Sequence, residues 1–289
     1  MLIDVNTQIL GILGYPLGHS LSPMMHNRAL QQQGLNYVYL AFEVEPNCLG
    51  KAVQALRVLG VTGVNVTVPF KEAIMVYLDE LTEEARMCGA VNVVKNRQGR
   101  LVGSNTDGPG FIAALQEAGV ETGGQRVVIL GAGGAARAVA YSLARAGVQS
   151  VTFVNRTYDR AVRLADFIGR ETGVKTRVVE WDSSATIAVV QEAALLVNTT
   201  SLGMFPGIED MPPLDERCFH PGLVVSDVVY NPRETRLLRT ARDKGLQTVD
   251  GVGMLVYQGA LTYEIFTGIK APVQLMSEVV GHHLAKNEG

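Results

Sequence analysis

The sequence predicts an α/β protein of two domains, each built on a sheet of parallel strands that helices cover on both faces. Short apolar strands alternate with amphipathic helices along almost all of the 289 residues. This pattern is typical of parallel sheets whose two faces are both buried. A second strand–helix series begins at the strand "RVVIL", after the break "VETGGQ". The length suits two domains of about 100–200 residues each, and we expect the chain to cross between them near residue 107.

The composition excludes several classes of protein. A formal net charge of −3 and a pI near 6.0, without a basic block, give no indication of nucleic acid binding. No apolar run reaches the ~18 residues needed to cross a membrane, and the N-terminus lacks the basic region of a secretory signal. The cysteines are scattered, at Cys48, Cys88 and Cys218, which predicts reduced and mostly buried thiols. We therefore expect a soluble, cytoplasmic protein.

The elements of the first series follow from the hydrophobic period and from the residues that interrupt it. The predicted strands are "QILGILG", "NYVYLAFEV" and "GVNVTV". The predicted helices are "SPMMHNRALQQQG", "PNCLGKAVQALRVLG", "KEAIMVYLDEL", "TEEARMCG" and "TDGPGFIAALQEAG". Between the last two helices, "AVNVVKNRQGRLVGSN" predicts two strands joined by a turn at Asn96–Gly99.

Lys71 opens one of these helices, directly after a buried strand that Pro69 ends. A cation near the positive end of a helix macrodipole is unfavourable by ~0.3–1 kcal/mol, so stability does not explain this lysine. Asp107 also follows a strand and opens a helix, where it acts as a favourable N-cap or takes part in chemistry. Such positions converge at the carboxyl ends of parallel strands. Lys71 and Asp107 are therefore a candidate pair for proton transfer.

The segment "GYPLGHSLSPMMH" places two serines ahead of a helix. Ser22 followed by proline is a good N-cap, but this role does not account for Ser20 or for the glycine- and proline-rich approach. A helix N-terminus with two hydroxyls is also a natural site for a substrate carboxylate, and the two roles can coexist. His19 and His26 have no supporting ligand set, so we interpret them as structural polar residues and expect no metal site.

The segment "RVVILGAGGAARAVAYSLARAG" predicts a strand, a glycine turn and a helix. Gly131, Gly133 and Ala136 match the dinucleotide-binding pattern: a tight turn, a close approach of backbone N–H groups to a pyrophosphate, and close packing of helix on strand. A tight turn in any doubly wound sheet can look similar. Because the strand before and the helix after are both present, the pattern favours a Rossmann-type doubly wound domain that binds a nucleotide.

The next strand, "SVTFVN", is followed by "RTYDR", where an acidic residue would bind the ribose of NAD. Two guanidinium groups and a hydroxyl instead suit the additional phosphate of NADP, because arginine matches phosphate geometry. The alternative is that the arginines form a solvated helix face. We therefore expect NADP as the cofactor, bound by Asn155, Arg156, Thr157 and Arg160.

Seven motifs resemble those of the shikimate dehydrogenase family in order and spacing, over nearly the whole chain. They are "HSLSP", "NVTVPFK", "GAVN", "NTDG", "GAGGAAR", "NRT" and "DGVGMLVYQ". The resemblance implies a substrate-binding and catalytic domain of residues 1–107 with 249–289, and an NADP-binding Rossmann domain of residues 108–248. The segment "NTTSLGM" departs from many members of the family after its first threonine.

The family's functional residues fall on matching positions of this sequence. The resemblance implies that Lys71 and Asp107 are catalytic. It implies a substrate site of Ser20, Ser22, Thr67, Lys71, Asn92, Asp107, Tyr230 and Gln258, with the serines and the tyrosine beside the substrate carboxylate. It implies a cofactor site of Gly131, Ala132, Gly133, Gly134, Ala135, Asn155, Arg156, Thr157, Arg160, Thr200, Ser201, Leu202, Gly251 and Met254.

The implied reaction is the reversible reduction of 3-dehydroshikimate to shikimate by NADPH, a step in aromatic amino acid biosynthesis, without a metal. In this reaction Lys71 would donate a proton to the new hydroxyl and Asp107 would orient the ammonium group. The patterns leave open whether the protein is a monomer or a homodimer.

Two other functions stay open. One is a quinate or quinate/shikimate dehydrogenase that uses NAD. Relatives that take quinate often have threonine at the second serine and an acid after the cofactor strand, whereas this sequence has Ser22 and Arg156. The other is a redox sensor that binds NADP without catalysis. A sensor would be expected to lose the lysine–aspartate pair, and both residues are present.

Overall fold

The computed structural model of the protein describes residues 3–18, 20–181 and 184–287, so His19 lies outside the described residues. The chain divides into two compact units. One consists of Met1–Thr106 and Gln258–His283, the other of Asp107–Tyr257 and Leu284–Gly289. The return to the first unit thus falls at Gln258, whereas the motifs predict residue 249. Within the described ranges, no helix has both the length and the apolarity to cross a membrane.

The first unit contains a mixed sheet with the strand order β2-β1-β3-β5-β6-β4. Its strands are β1 (Gln8–Gly14), β2 (Tyr37–Glu43), β3 (Gly63–Val66), β4 (Glu80–Leu81), β5 (Val93–Arg97) and β6 (Arg100–Ser104). Its first helices are α1 (Ser22–Gln32), α2 (Leu49–Val58), α3 (Phe70–Ala73) and α4 (Glu83–Cys88). β5 runs antiparallel to β3 and β6, because β5 and β6 form a hairpin. Gln98 and Gly99 between them both have positive φ, as the tight turn of such a hairpin requires.

The helix predicted to follow Lys71 is shorter than its sequence pattern indicates. Only α3 is α-helical; a 3-10 turn follows, and the strand β4 then pairs with β6. The helix ends because tertiary contacts take its backbone and side chains. The Asp79 carboxylate accepts hydrogen bonds from Arg57 and from the Leu101 N–H, and Arg57 also donates to the Tyr77 carbonyl oxygen. Apolar spacing alone does not reveal these contacts.

The second unit contains a sheet whose neighbouring strands are all parallel, in the order β12-β11-β10-β7-β8-β9. Its strands are β7 (Arg126–Leu130), β8 (Ser150–Asn155), β9 (Lys175–Glu180), β10 (Leu195–Asn198), β11 (Val224–Asp227) and β12 (Thr248–Val249). Its helices are α5 (Asp107–Glu117), α6 (Gly134–Arg145), α7 (Tyr158–Thr172), α8 (Ser184–Gln191) and α9 (Arg236–Asp243). This is the predicted doubly wound order, and it reverses between β7 and β10, where such sheets bind nucleotides.

Two helices complete the described chain, α10 (Gly251–Thr267) and α11 (Val273–Asn287). Each unit has an apolar core of its own. Cys88 and Cys218 are buried and Cys48 is half-buried, and none of the three forms a disulfide bond with another described residue. Phe70 is buried in the core of the first unit and is 2% exposed. Because Phe70 is held in this core, the backbone that carries the neighbouring Lys71 side chain is also held in place.

Candidate active site

Ser20 and Ser22 lie at the start of α1, and the structure gives them different partners. The Ser20 hydroxyl accepts a hydrogen bond from the Ser22 backbone N–H, with N and Oγ 3.4 Å apart. Leu21 occupies the N-cap position, and its side chain makes no capping hydrogen bond. The N-cap role predicted for Ser22 is therefore wrong. Its hydroxyl forms a hydrogen bond with the buried phenol of Tyr39 instead.

A buried chain of hydrogen bonds leads from this phenol to the middle of the first sheet. The Tyr39 hydroxyl donates to Asn65 Oδ1 at 2.7 Å. Asn65 Nδ2 lies 3.3 Å from Thr262 Oγ1 and 3.4 Å from the Asn92 carbonyl oxygen. Burial raises the pKa of Tyr39 well above its ordinary value, so the phenol keeps its proton. Ser22 is thereby held at one end of a network of neutral groups.

Asn92 and Gln258, two predicted substrate residues, meet at the other end of this network. Asn92 Nδ2 donates to Thr106 Oγ1 at 2.9 Å, and the Thr106 N–H donates to Asn92 Oδ1 at 2.8 Å. Asn92 Nδ2 also lies 3.5 Å from Gln258 Oε1. Thr106 in turn donates to the Gln258 carbonyl oxygen at 3.1 Å. One buried threonine thus holds the Asn92 side chain and the Gln258 backbone, and the two amide side chains lie next to each other.

Thr67 and Lys71 follow strand β3, as predicted. The Thr67 N–H donates to the Leu13 carbonyl oxygen at 2.9 Å, and the Lys71 carbonyl oxygen accepts from the Val91 N–H at 2.7 Å. These bonds fix the backbone on both sides of the Lys71 side chain, which is half-buried. Because α3 has only four residues, its macrodipole is small. The electrostatic argument for Lys71 is therefore weaker than its sequence context indicates.

The predicted site residues are distributed between the two units. Asp107 is the first residue of α5, as predicted, where a carboxylate suits the positive helix end. The first unit holds Ser20, Ser22, Thr67, Lys71, Asn92 and Gln258. The second unit holds Asp107, Tyr230 and every residue of the predicted cofactor site.

The glycine turn of the second unit has the geometry that its sequence predicts. Gly131 has φ of +110°, a conformation that side chains rarely allow, and a Cβ there would lie 2.7 Å from Thr199 Oγ1. Gly133 is the N-cap of α6 and has no side chain with which to cap this helix end. Its first N–H groups are therefore suited to a phosphate. Ala136 is fully buried, which lets the helix pack closely on the sheet.

The segment after β8 lies beside this turn. Thr157 is the N-cap residue of α7, and Asn155 Nδ2 donates to the Thr157 carbonyl oxygen at 2.8 Å. Arg156 and Arg160 are exposed. A Cβ built on Gly133 would lie 3.9 Å from Arg160 Nη2, so this guanidinium group reaches the glycine turn. The structure thus brings the predicted pyrophosphate and adenosine-phosphate contacts to one edge of the sheet.

The remaining predicted cofactor residues follow β10 and begin α10. Thr200 Oγ1 donates to Asn198 Oδ1 at 2.7 Å and accepts from the Leu202 N–H at 3.2 Å, while Ser201 is exposed. Gly251 begins α10, where a Cβ would lie 2.4 Å from the Val229 carbonyl oxygen. This close contact is enough to explain why position 251 is a glycine, so a bound ligand is not needed to explain it. Two further residues are half-buried, namely Met254 and Tyr230.

His26 is the structural polar residue that the sequence predicts. Its imidazole is fully buried and stacks on Tyr39, with ring centroids 4.4 Å apart and planes 5° apart. Neither ring nitrogen has a hydrogen-bond partner among the residues that the structure describes. Burial lowers the pKa of His26 to about 3, so the ring is neutral. Across the described ranges, no group of three or more His, Cys, Asp or Glu side chains is placed to hold a metal ion.

Three family models match consecutive parts of the chain. Residues 12–94 match the shikimate dehydrogenase substrate binding domain, residues 113–201 match shikimate / quinate 5-dehydrogenase, and residues 251–280 match the shikimate 5'-dehydrogenase C-terminal domain. The chain belongs to the shikimate dehydrogenase family. The family and the α/β fold predicted from the motifs are therefore confirmed.

Similar members of the family match the chain over nearly its full length. The shikimate dehydrogenase (NADP(+)) of Methanopyrus kandleri is 48% identical over 98% of both chains. That of Symbiobacterium thermophilum is 50% identical over 93% of this chain and 92% of its own. A crystal structure of a shikimate dehydrogenase in complex with NADP+ has a TM-score of 0.92, at 38% identity over 98% of both chains. The Thermus thermophilus enzyme in complex with NADP(H) and shikimate has a TM-score of 0.86, at 39% identity over 95% of this chain and 99% of its own.

Sequence reasoning missed the buried residues that connect the substrate-side positions. These are Tyr39, Asn65, Thr106 and Thr262, all at most 5% exposed. Asn65 had a detectable signal, because it is a lone amide inside an otherwise apolar strand, and a buried amide needs partners. Thr106 stands between two predicted polar residues. Tyr39 and Thr262 gave no such signal, since each looks like an ordinary member of an apolar strand or helix.

Proposed function

We propose that this protein is an NADP-dependent shikimate dehydrogenase, an oxidoreductase that reversibly reduces 3-dehydroshikimate to shikimate in aromatic amino acid biosynthesis. The observation that carries the proposal is the match over 98% of the chain to a relative named shikimate dehydrogenase (NADP(+)). The glycine turn at the switch point of the parallel sheet supports it, because this is where a dinucleotide binds.

In the proposed reaction the bound NADPH supplies the hydride, and the protein positions the substrate and handles one proton. Lys71 donates that proton to the oxygen of the ring ketone as negative charge develops on it. Asp107 is the carboxylate that orients the ammonium group.

The substrate carboxylate and ring hydroxyls are assigned to different ends of the buried network. Ser20 and Ser22, together with Tyr230, are proposed to bind the carboxylate. Asn92 and Gln258 are proposed to bind the ring hydroxyls. The support for this assignment is that one buried threonine bonds to the Asn92 side chain and to the Gln258 backbone, which holds both residues in place before any ligand arrives. Thr67 completes this part of the site.

The proposed cofactor contacts predict a change of selectivity in an arginine variant. Arg156 and Arg160 are assigned to the 2′-phosphate of NADP. Replacing both by alanine removes two charge-assisted contacts, and we expect the KM for NADP to rise roughly hundredfold while the KM for NAD stays the same. The matched control is Arg163→Ala, which removes an exposed arginine of α7, the helix that also contains Arg160. Equal losses with NADP and NAD would contradict the assignment.

The proposed function is tested by offering shikimate and quinate to the purified protein, each with NADP and with NAD, and following cofactor reduction by absorbance. We expect turnover of shikimate with NADP to exceed the other three combinations by a wide margin. Activity mainly with quinate or NAD would identify the dual enzyme and would mean that Ser22 and Arg156 were misinterpreted. Bound NADP without turnover in any combination would identify the redox sensor.

The same proposal includes a cytoplasmic location, which the lack of disulfide bonds among the described cysteines supports. The proposed catalytic and binding groups all belong to one chain. A homodimer is compatible with this but is not required for it, and the mass of the protein in solution distinguishes the two states.

A further inference from the structure

Asp227 is a buried carboxylate at the end of β11, and the proposed function assigns it no role. It is 1% exposed. Three donors converge on it: the Val229 N–H and Asn198 Nδ2 each lie 3.0 Å from Oδ1, and the Thr235 hydroxyl lies 2.8 Å from Oδ2. A buried charge is tolerated only when it is hydrogen-bonded in this way. Burying the Asp227 carboxylate costs folding free energy, which indicates that the carboxylate has a role in holding its neighbours in place.

Asn198, the partner of Asp227 on the neighbouring strand, connects Asp227 to the segment after β10. Its Nδ2 donates to Asp227 and to the Leu202 carbonyl oxygen. Its Oδ1 accepts from both the N–H and the hydroxyl of Thr200. All four hydrogen-bonding positions of this amide are therefore used, so its orientation is fixed. Asn198 itself is fully buried.

The segment that Asn198 holds lies against the glycine turn. A Cβ built on Gly131 would lie 2.7 Å from Thr199 Oγ1 and 3.2 Å from Thr200 Cγ2. The Thr199 hydroxyl donates to the Leu130 carbonyl oxygen at 2.7 Å, immediately before the turn. The positions of the turn and of Thr200 are thus coupled through direct contacts.

We propose that Asp227 and Asn198 form a positioning pair that holds Thr200 against the glycine turn and thereby sets the affinity for NADP. This inference rests on the proposed function, which assigns the turn to the cofactor. Neither residue of the pair needs to touch the cofactor. The ionised carboxylate binds the Asn198 amide more strongly than a neutral acceptor would, because hydrogen bonds to charged groups are roughly twice as strong.

The carboxylate titrates in a range that makes this role measurable. Burial raises the pKa of Asp227 to about 6, against the opposing effect of its three donors. β10 and β12, its neighbours in the sheet, contain no ionisable side chains. The charged residues of α9 are exposed and are engaged elsewhere: Arg236 bonds to the Glu209 carbonyl oxygen, Arg239 and Arg242 pair with Glu234, and Asp243 pairs with Arg242. In the loop between β11 and α9, Arg233 pairs with Asp250, and Glu234 pairs with two arginines of α9. We therefore assign the pH dependence of the pair to Asp227.

The test compares Asp227→Asn with wild type by calorimetric titration with NADP+ at pH 8 and pH 5. The amide has the shape of the carboxylate but no charge, so it imitates the protonated form. We expect the Kd for NADP+ to rise about fivefold at pH 8 and to approach the wild-type value at pH 5. Because the 2′-phosphate of NADP+ also titrates near pH 6, the quantity compared is the ratio of the two Kd values at each pH.

A second variant, Asn198→Ala, removes the side chain that connects Asp227 to Thr200. It is expected to weaken NADP+ binding about tenfold at both pH values. The KM for shikimate should change less than the Kd for NADP+ in both variants, which a general loss of structure would not produce. The matched control, Asp243→Asn, changes an exposed carboxylate of α9 and should leave the Kd unchanged.

A Kd ratio for Asp227→Asn that is one at pH 8, or that is the same at pH 5 and pH 8, would overturn the positioning pair. In that case wild type would still bind NADP+, and the proposed function would stand. Wild-type protein that binds no NADP+ would overturn the proposed function and the pair together.

Discussion

Replacing Lys71 by alanine is expected to lower kcat about 10²–10⁴-fold, the range that a positioned general acid contributes. The expected loss is in kcat because the proton is transferred only as charge develops on the substrate oxygen. The Kd for NADP+ should stay the same, since Lys71 is not among the residues assigned to the cofactor. Steady-state rates with shikimate and NADP measure the first effect, and calorimetry measures the second.

The control for this variant is Lys51→Ala, which removes an exposed lysine of α2 in the same unit. It should leave both kcat and the Kd for NADP+ unchanged. Near-normal turnover in Lys71→Ala would exclude this lysine from proton transfer. The backbone around Lys71 is held by its own hydrogen bonds and by the buried ring of Phe70, so the side chain can be removed without moving the segment.

Acid should destabilise the protein through His26, and His26→Phe should remove that part of the pH dependence. The pKa of the buried ring is about 3, whereas its ordinary value is 6.5. The unfolded chain therefore binds the proton more readily than the folded one. The stability from this group is fully present above pH 6.5 and is lost as pH falls towards 3. The loss reaches about 2.5 kcal/mol by pH 4.5 and about 4 kcal/mol at pH 3.

Urea unfolding at pH 7 and pH 4.5 measures this effect. The fall in unfolding free energy between the two pH values should be about 2.5 kcal/mol larger for wild type than for His26→Phe. Other groups cancel in this difference, including Asp227, whose raised pKa acts in the opposite direction. Phenylalanine keeps an aromatic ring against Tyr39. The control is His282→Phe at an exposed position of α11. If the unfolding free energy fell by the same amount between pH 7 and pH 4.5 in wild type and in His26→Phe, His26 would not be a source of the acid destabilisation.

The sequence predicted the parts of the fold that depend on local pattern. β1 covers the residues predicted for it, and the doubly wound order follows from the strand–helix alternation and the glycine turn. The helix after Lys71 was predicted too long because its end is set by Arg57 and Leu101, which are distant in sequence. Local hydrophobic spacing contains no information about such partners.

The same division applies to the site. Gly131 could be predicted because a tight turn requires a glycine there whatever surrounds it. The capping role of Ser22 was wrong because a buried phenol competes for its hydroxyl, and Tyr39 lies on another element. Asp227 and Asn198 end two neighbouring strands, and only the pairing of β10 with β11 brings their side chains together. Residues that position other residues are therefore the ones that the sequence alone conceals.

The first unit takes its residues from both ends of the chain, and this has a consequence for synthesis on the ribosome. Domains usually fold as they emerge, with N-terminal ones first. Here β3 emerges early, but Thr262, which bonds to Asn65 on that strand, emerges only after nearly all of the second unit. The same holds for Phe266, whose carbonyl oxygen accepts from Lys95 Nζ at 2.5 Å. A nascent chain thus exposes an incomplete first unit until translation is almost finished. Premature termination releases a chain that contains the nucleotide-binding unit but lacks the residues that complete the first unit.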